Sequence, residues 1–157
     1  MRPPLIFFVA GLPKAQPRTK ARAFGKFAQV YTPKVSDDWK MIVRNEARRA
    51  WNASGNHEPF AGPLCVNLTF HFPRPKGHLN SRGDLKPNAP HWHTTKPDRD
   101  NSDKAVLDAL TNLGIWGDDK QVCDGCIKKI YVKAAFLTPG CQIEIKEAQL
   151  CNNPMEL

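Results

Sequence analysis

Apolar residues fill both parities of the run Leu5 to Leu12, where Leu5, Phe7 and Val9 alternate with Ile6, Phe8 and Ala10. That pattern predicts a strand covered on two sides, in the middle of a sheet. Further along, Leu64, Val66, Leu68, Phe70 and Phe72 alternate with Cys65, Asn67, Thr69 and His71, which predicts a strand with one apolar face. The same period returns at Ile130, Val132, Ala134 and Phe136 within Val122 to Leu137. It returns again at Cys141, Ile143 and Ile145 after the turn Pro139-Gly140, and the two runs predict an antiparallel hairpin. Two segments carry helical spacing instead. Ser36, Asp37 and Asp38 offer a cap and an acidic first turn to Trp39, Ile42, Val43, Ala47 and Ala50, with Asn52, Ser54 and Gly55 as the stop. Val106, Ala109, Leu110 and Leu113 form an i, i+3, i+4, i+7 stripe that Gly114 closes and Asp100 or Asn101 would cap.

Two stretches have neither period. Pro13 to Lys34 interleaves Lys14, Arg18, Lys20, Arg22 and Lys26 with Pro17, Phe24, Gly25 and Phe27, and reads as a basic loop or hairpin ending in a short strand at Gln29 to Thr32. Pro73 to Pro97 holds five prolines, two glycines and the cations Arg74, Lys76, Arg82, Lys86 and Lys96, a loop long enough to be functional or disordered.

At 157 residues the chain is the size of one domain, and its 41% hydrophobic content can fill one core. The domain is expected over residues 1–150, with 151–157 as a tail. Charge adds direction: the net +8 is concentrated in residues 1–50, which hold 11 Lys and Arg against 3 acids. Clustered cations favour a polyanion, through phosphate neutralisation and counterion release. Lys40, Arg44 and Arg48 add a cationic stripe at intervals of four on the first helix, which reads either as a solvated face or as a DNA-facing one. No apolar run reaches the roughly 20 residues of a membrane helix, so no membrane partner is expected. Five cysteines, an odd number without a convincing leader segment, point to reduced thiols and a cytoplasmic setting.

Against this basic background, residues 98–124 carry seven acids and only three bases. Bare carboxylates facing a polyanion would repel it unless divalent cations neutralise them and bridge them to phosphate. Asp98 and Asp100, two apart in a segment that Pro97 should hold extended, would point the same way and could converge on one ion. Asp118 and Asp119 in the following Gly-Asp-Asp turn are further donors, and Lys104 falls one turn beyond Asp100. The plainer account makes Asp98 and Asp100 acids at the positive end of a helix, and Asp118-Asp119 an ordinary turn.

The segments Lys96-Pro97-Asp98-Arg99-Asp100-Asn101, Lys104-Ala105-Val106-Leu107-Asp108-Ala109-Leu110 and Gly114-Ile115-Trp116-Gly117-Asp118-Asp119-Lys120-Gln121-Val122 resemble, in order and spacing, the signature of the RusA family of Holliday junction resolvases. These are Mg²⁺-dependent endodeoxyribonucleases common in phages and prophages. The resemblance implies an α/β fold of the α+β type, a single small domain with a mixed central β-sheet and two main α-helices, acting as a homodimer. It also implies that Asp98, Asp100 and Asp119 are metal-binding carboxylates, that Lys104 is catalytic, and that Mg²⁺, with Mn²⁺ as a substitute, is the cofactor, with no organic cofactor. The implied activity is paired phosphodiester cleavage of four-way DNA in recombination and repair, inside a bacterial or phage-infected cell. Lys14, Arg18, Lys20, Arg22, Lys26, Lys40, Arg44, Arg48, Arg74 and Lys76 are the expected contacts to the DNA arms. Two departures stand beside the signature: Ser102-Asp103 replaces residues often apolar or uncharged in the family, and Pro97 replaces an arginine found in some members.

Two alternatives compete. One is a general phage endonuclease for branched DNA without strict junction preference. The other is a zinc-stabilised nucleic-acid-binding module built from Cys123, Cys126, His91 and His93, although a single CxxC carries little weight.

Overall fold

A computed structural model describes residues 2–149 except Lys26, Thr32, Asn56 and Phe136. Strand β4 (Leu64–Phe72) organises the molecule. Its even-numbered side chains Leu64, Leu68 and Phe70 are wholly buried, each stabilising the core by about 1.5–3 kcal/mol relative to exposure. On one side β4 pairs antiparallel with β7 (Gly140–Glu147), which in turn pairs antiparallel with β1 (Leu5–Ala10). Along its other side lie two short parallel strands in succession, β5 (Val122–Asp124) and β6 (Ile127–Tyr131). Between those two strands Gly125 has φ of 149°, and a Cβ there would collide with the Val66 carbonyl. The sheet is therefore mixed and five-stranded, and a separate two-stranded sheet is formed by β2 (Lys20–Phe24) and β3 (Phe27–Tyr31).

Helices α1 (Asp37–Ala53) and α2 (Arg99–Leu113) cover one face of the main sheet. Trp39, Val43 and Ala47 of α1 and Ala105, Val106, Ala109 and Leu110 of α2 join the strand side chains in one core. A charged hydrogen bond from Lys40 Nζ to Asp108 Oδ2 at 3.1 Å ties the two helices together. The result is a single small α+β domain, as the sequence implies. No helix among the described residues is long and apolar enough to cross a membrane. The four described cysteines, Cys65, Cys123, Cys126 and Cys141, are free thiols, and residues 151–157, expected as a tail and including Cys151, lie outside the described residues.

Two expectations are corrected. Among the described residues, strand β1 is an edge strand bonded only to β7, not the middle of the sheet. Leu5 and Val9 face the helices, while Ile6 and Phe8 stay 57% and 40% exposed on the opposite face, so its two apolar parities do not mean burial on both sides. The runs Val122 to Leu137 and Cys141 to Ile145 do not form a hairpin either, because β4 lies between β6 and β7. Gly140 starts β7 against β1 instead, so close that a Cβ there would strike the Val9 carbonyl and the Phe8 ring.

The segment 73–97 contains one 3₁₀ turn, Lys76–His78, and is anchored along β6. His93 donates its amide to the Lys129 carbonyl at 3.0 Å and stacks on Phe72 at 3.9 Å, while Tyr131 donates to the His91 carbonyl at 2.9 Å.

Candidate active site

Helix α2 begins at Arg99, with Asp98 as its N-cap residue in an extended conformation. Ser102 fixes the Asp98 main chain by donating both its amide and its Oγ to the Asp98 carbonyl, at 3.0 and 2.8 Å. The Asp98 carboxylate makes no capping bond and stays exposed. Asp100 and Lys104 are exposed on the first and second turns, and among the described residues Lys104 forms no ion pair. Because Asp100 already belongs to the helix, where successive side chains step by about 100°, the period-two argument for aligning it with Asp98 does not apply.

Asp98 opens onto a cleft. Ala15, Gln16 and Arg18 from the basic segment line it together with Lys96, Pro97, Asp98 and Asn101. The Gln16 amide donates to the Asn101 carbonyl at 2.8 Å, which joins the root of the basic segment to the first turn of α2. Beneath the cleft, Lys129 Nζ donates to the Thr95 carbonyl at 2.7 Å and to the Pro97 carbonyl. Burial lowers the Lys129 pKa, and the nearby Asp98 charge opposes that shift. Lys129 holds the segment that presents Asp98, a role that no motif in the sequence marks. The signal was its parity on β6, shared with the core-facing Ile127 and Tyr131.

Asp119 lies at the opposite end of α2, in a recess with Asp108, Thr111, Asn112, Gly117 and Asp118. Ten residues of helix, about 15 Å of rise, separate Asp98 from Asp108. Asp118 caps the 3₁₀ turn Asp119–Gln121 by accepting from the Lys120 amide at 3.0 Å, and that bond holds its carboxyl below the usual range. The ordinary-turn account thus describes Asp118, while Asp119 keeps an exposed carboxylate. Asp103 is half-buried and shares a third recess with Asp124, Cys123 and Val66. Burial pushes its acid up, against Arg99, with Asp100 adding to the rise. Asp103 and Asp124, two of the seven acids in residues 98–124, are brought together by this recess.

Exposed carboxylate oxygens suit a hard divalent cation in chemistry. One chain does not gather the expected set: among the described residues, no three His, Cys, Asp or Glu side chains are grouped to hold a metal ion. That also counts against the zinc module, since Cys123, Cys126, His91 and His93 form no such group and His93 is engaged with Phe72 and with Thr95.

The expected DNA contacts divide by environment. Lys20, Arg22, Arg48 and Lys76 are exposed, Arg18 lines the Asp98 cleft, Arg44 is half-buried, and Lys26 lies outside the described residues. Lys14 pairs with Asp38, and Lys40 with Asp108. Arg74 is committed to the fold: Nε donates to the Val132 carbonyl at 2.8 Å, Nη1 donates to the Pro90 carbonyl, and its guanidinium stands 5.1 Å from the Tyr131 ring centroid.

A basic arm rooted against an acid-bearing helix end, on an α+β core, defines a domain built to handle a polyanion. Residues 10–146 match the family described as Endodeoxyribonuclease RusA. The uncharacterized protein YqaN of Bacillus subtilis (strain 168) is 32% identical over 152 residues, covering 90% of this chain and 94% of YqaN. The chain belongs to the RusA family, whose members are endodeoxyribonucleases, hydrolases of DNA phosphodiester bonds.

Proposed function

We propose that the protein is a Mg²⁺-dependent, structure-specific endonuclease that resolves four-way DNA junctions by paired phosphodiester cleavage as a homodimer. The observation that carries this reading is the cleft lined by both Arg18 and Asp98, with family membership supplying the reaction class. Asp98, Asp100 and Asp119 would hold the cation, which Mn²⁺ could replace. When bound, it supplies Lewis-acid activation of a water and neutralises charge on the scissile phosphate.

The chain's own groups divide the remaining work. Arg18, which lines the same cleft as Asp98, draws the DNA backbone toward the acids. Lys104, exposed and unpaired among the described residues, offsets charge that develops on the phosphate during cleavage. Lys129 keeps the Thr95–Pro97 main chain, and with it Asp98, in place. Because Asp119 stands a helix length from Asp98, bound DNA and a second protomer are expected to complete the set. A two-fold dimer also supplies two cutting centres for a symmetric junction.

The test is cleavage of a synthetic four-way junction in Mg²⁺ and in EDTA, by the wild-type chain and by Asp100→Asn. Cutting confined to the wild type in Mg²⁺ supports the reading. Cutting in EDTA, or undiminished cutting by the variant, removes the metal or the residue from it.

A further inference from the structure

Among the described residues, nothing covers the β2–β3 hairpin. Its strands pair only with each other, and every side chain described on it is exposed, including Phe27 at 82%, Val30 at 64% and Tyr31 at 46%. A two-stranded hairpin is at best marginally stable alone in water, and large apolar side chains left outside a core mark an interaction surface.

The register assigns these side chains to faces. Lys20 stands opposite Tyr31 and Arg22 opposite Gln29, so Lys20, Arg22, Phe27, Gln29 and Tyr31 share one face, and Ala21, Ala23 and Val30 the other. The first face alternates cations with aromatic rings. Residues 11–34 around it contain six Lys and Arg and no acid. A partner matching this face must be anionic and must offer flat π surfaces. Nucleic acid with unstacked bases has both: phosphates for the ammonium and guanidinium groups, and base faces for the rings. A continuous duplex holds every base in its stack, whereas at a branch point the stack is interrupted and an inserted side chain can open one base step for about a few kcal/mol.

Position supports the match. The hairpin starts two residues after Arg18, which lines the Asp98 cleft, and its root is fixed by the Gln16–Asn101 bond. A strand of five residues then reaches about 17 Å outward, which puts Tyr31 near the cleft and Phe27 at the far tip.

We propose that the hairpin face bearing Lys20, Arg22, Phe27 and Tyr31 is a base-stacking probe that enters the branch point of the DNA held at the Asp98 cleft. For its substrate, this rests on the endonuclease reading.

The experiment uses the full chain, in Ca²⁺ to prevent cutting, with a four-way junction carrying 2-aminopurine beside the branch point. Binding of the wild type should raise the fluorescence severalfold. The double variant Phe27→Ala/Tyr31→Ala should lose that rise and about tenfold in junction affinity, with linear-duplex affinity changed less than about twofold. Phe27→Trp should retain the signal, and Lys20→Ala/Arg22→Ala should weaken binding to both DNAs. A fluorescence rise unaffected by the double alanine variant overturns the proposal. So does a change from dimer to monomer in that variant by sedimentation, which would give the face to a second copy of the chain. A parallel reaction in Mg²⁺ separates the two ideas: a wild-type chain that lights the probe but never cuts leaves the stacking role standing and removes the nuclease reading.

Discussion

Gln16 and Asn101 are joined main chain to main chain at 2.8 Å, and that bond ties the root of the basic arm to the acid-bearing end of α2. Gln16 also accepts from Ser36 Oγ at 3.4 Å, which extends the tie to the start of α1. Replacing Gln16 by proline removes the donor. The variant also removes the acceptor for Ser36 Oγ, so the expected outcome is a fall of about tenfold in junction cleavage with Tm lowered by several degrees, each lost hydrogen bond contributing about 1 kcal/mol. Rates and melting curves on the same preparation check it.

Lys40 and Arg48 share a helix stripe but have different surroundings. Lys40 is 12% exposed and bonded to Asp108, so Lys40→Ala should cost about 1–2 kcal/mol of unfolding free energy. Arg48 is exposed, and Arg48→Ala should leave stability unchanged while reducing the slope of log affinity against log salt by about one. Denaturant titrations and salt-dependent binding measure the two effects.

Acid should weaken the fold through its histidines. Burial holds His71 and His93 below the ordinary value of 6.5, with Lys133 beside the first and Lys129 beside the second acting the same way. The unfolded chain takes up protons at these sites near pH 6.5 while the folded chain resists, so unfolding binds protons and stability falls as pH drops below about 6.5. Tm should be lower at about pH 5.5 than at about pH 7.5. His93→Phe, which preserves the stack on Phe72, should shrink the difference.

Asp98→Asn, Asp100→Asn and Asp119→Asn should each cut junction cleavage by about 100-fold or more while leaving binding intact or tighter, since each removes a charge that repels phosphate. Gel-shift and cleavage assays on one junction separate the two quantities. A variant that cuts at the wild-type rate removes its residue from the site.

Side-chain periodicity carried the local structure well. The alternation in Leu64–Phe72 matches β4, and Gly114, with φ of 81°, ends α2 where its residue type says it should. Periodicity could not show partnership. Ile6 and Phe8 look like buried strand residues because an apolar side chain carries no record of whether anything covers it, and the β6–β7 pairing failed because strand neighbours are chosen by long-range packing on β4. For the proposed site, the signature marks Asp98, Asp100, Lys104 and Asp119 along the chain. Their separation by the length of α2, the commitment of Arg74 to carbonyls, and the support of Asp98 by Lys129 depend on contacts between segments far apart in sequence.

The central claim is tested most directly by incubating the wild-type chain in Mg²⁺ with a labelled four-way junction and with linear duplexes of the same arm sequences, mapping nicks on all four strands. Paired nicks placed symmetrically about the branch point, with the duplexes spared, are the predicted result. Equal cutting of junction and duplex would contradict junction resolution and leave a general endonuclease.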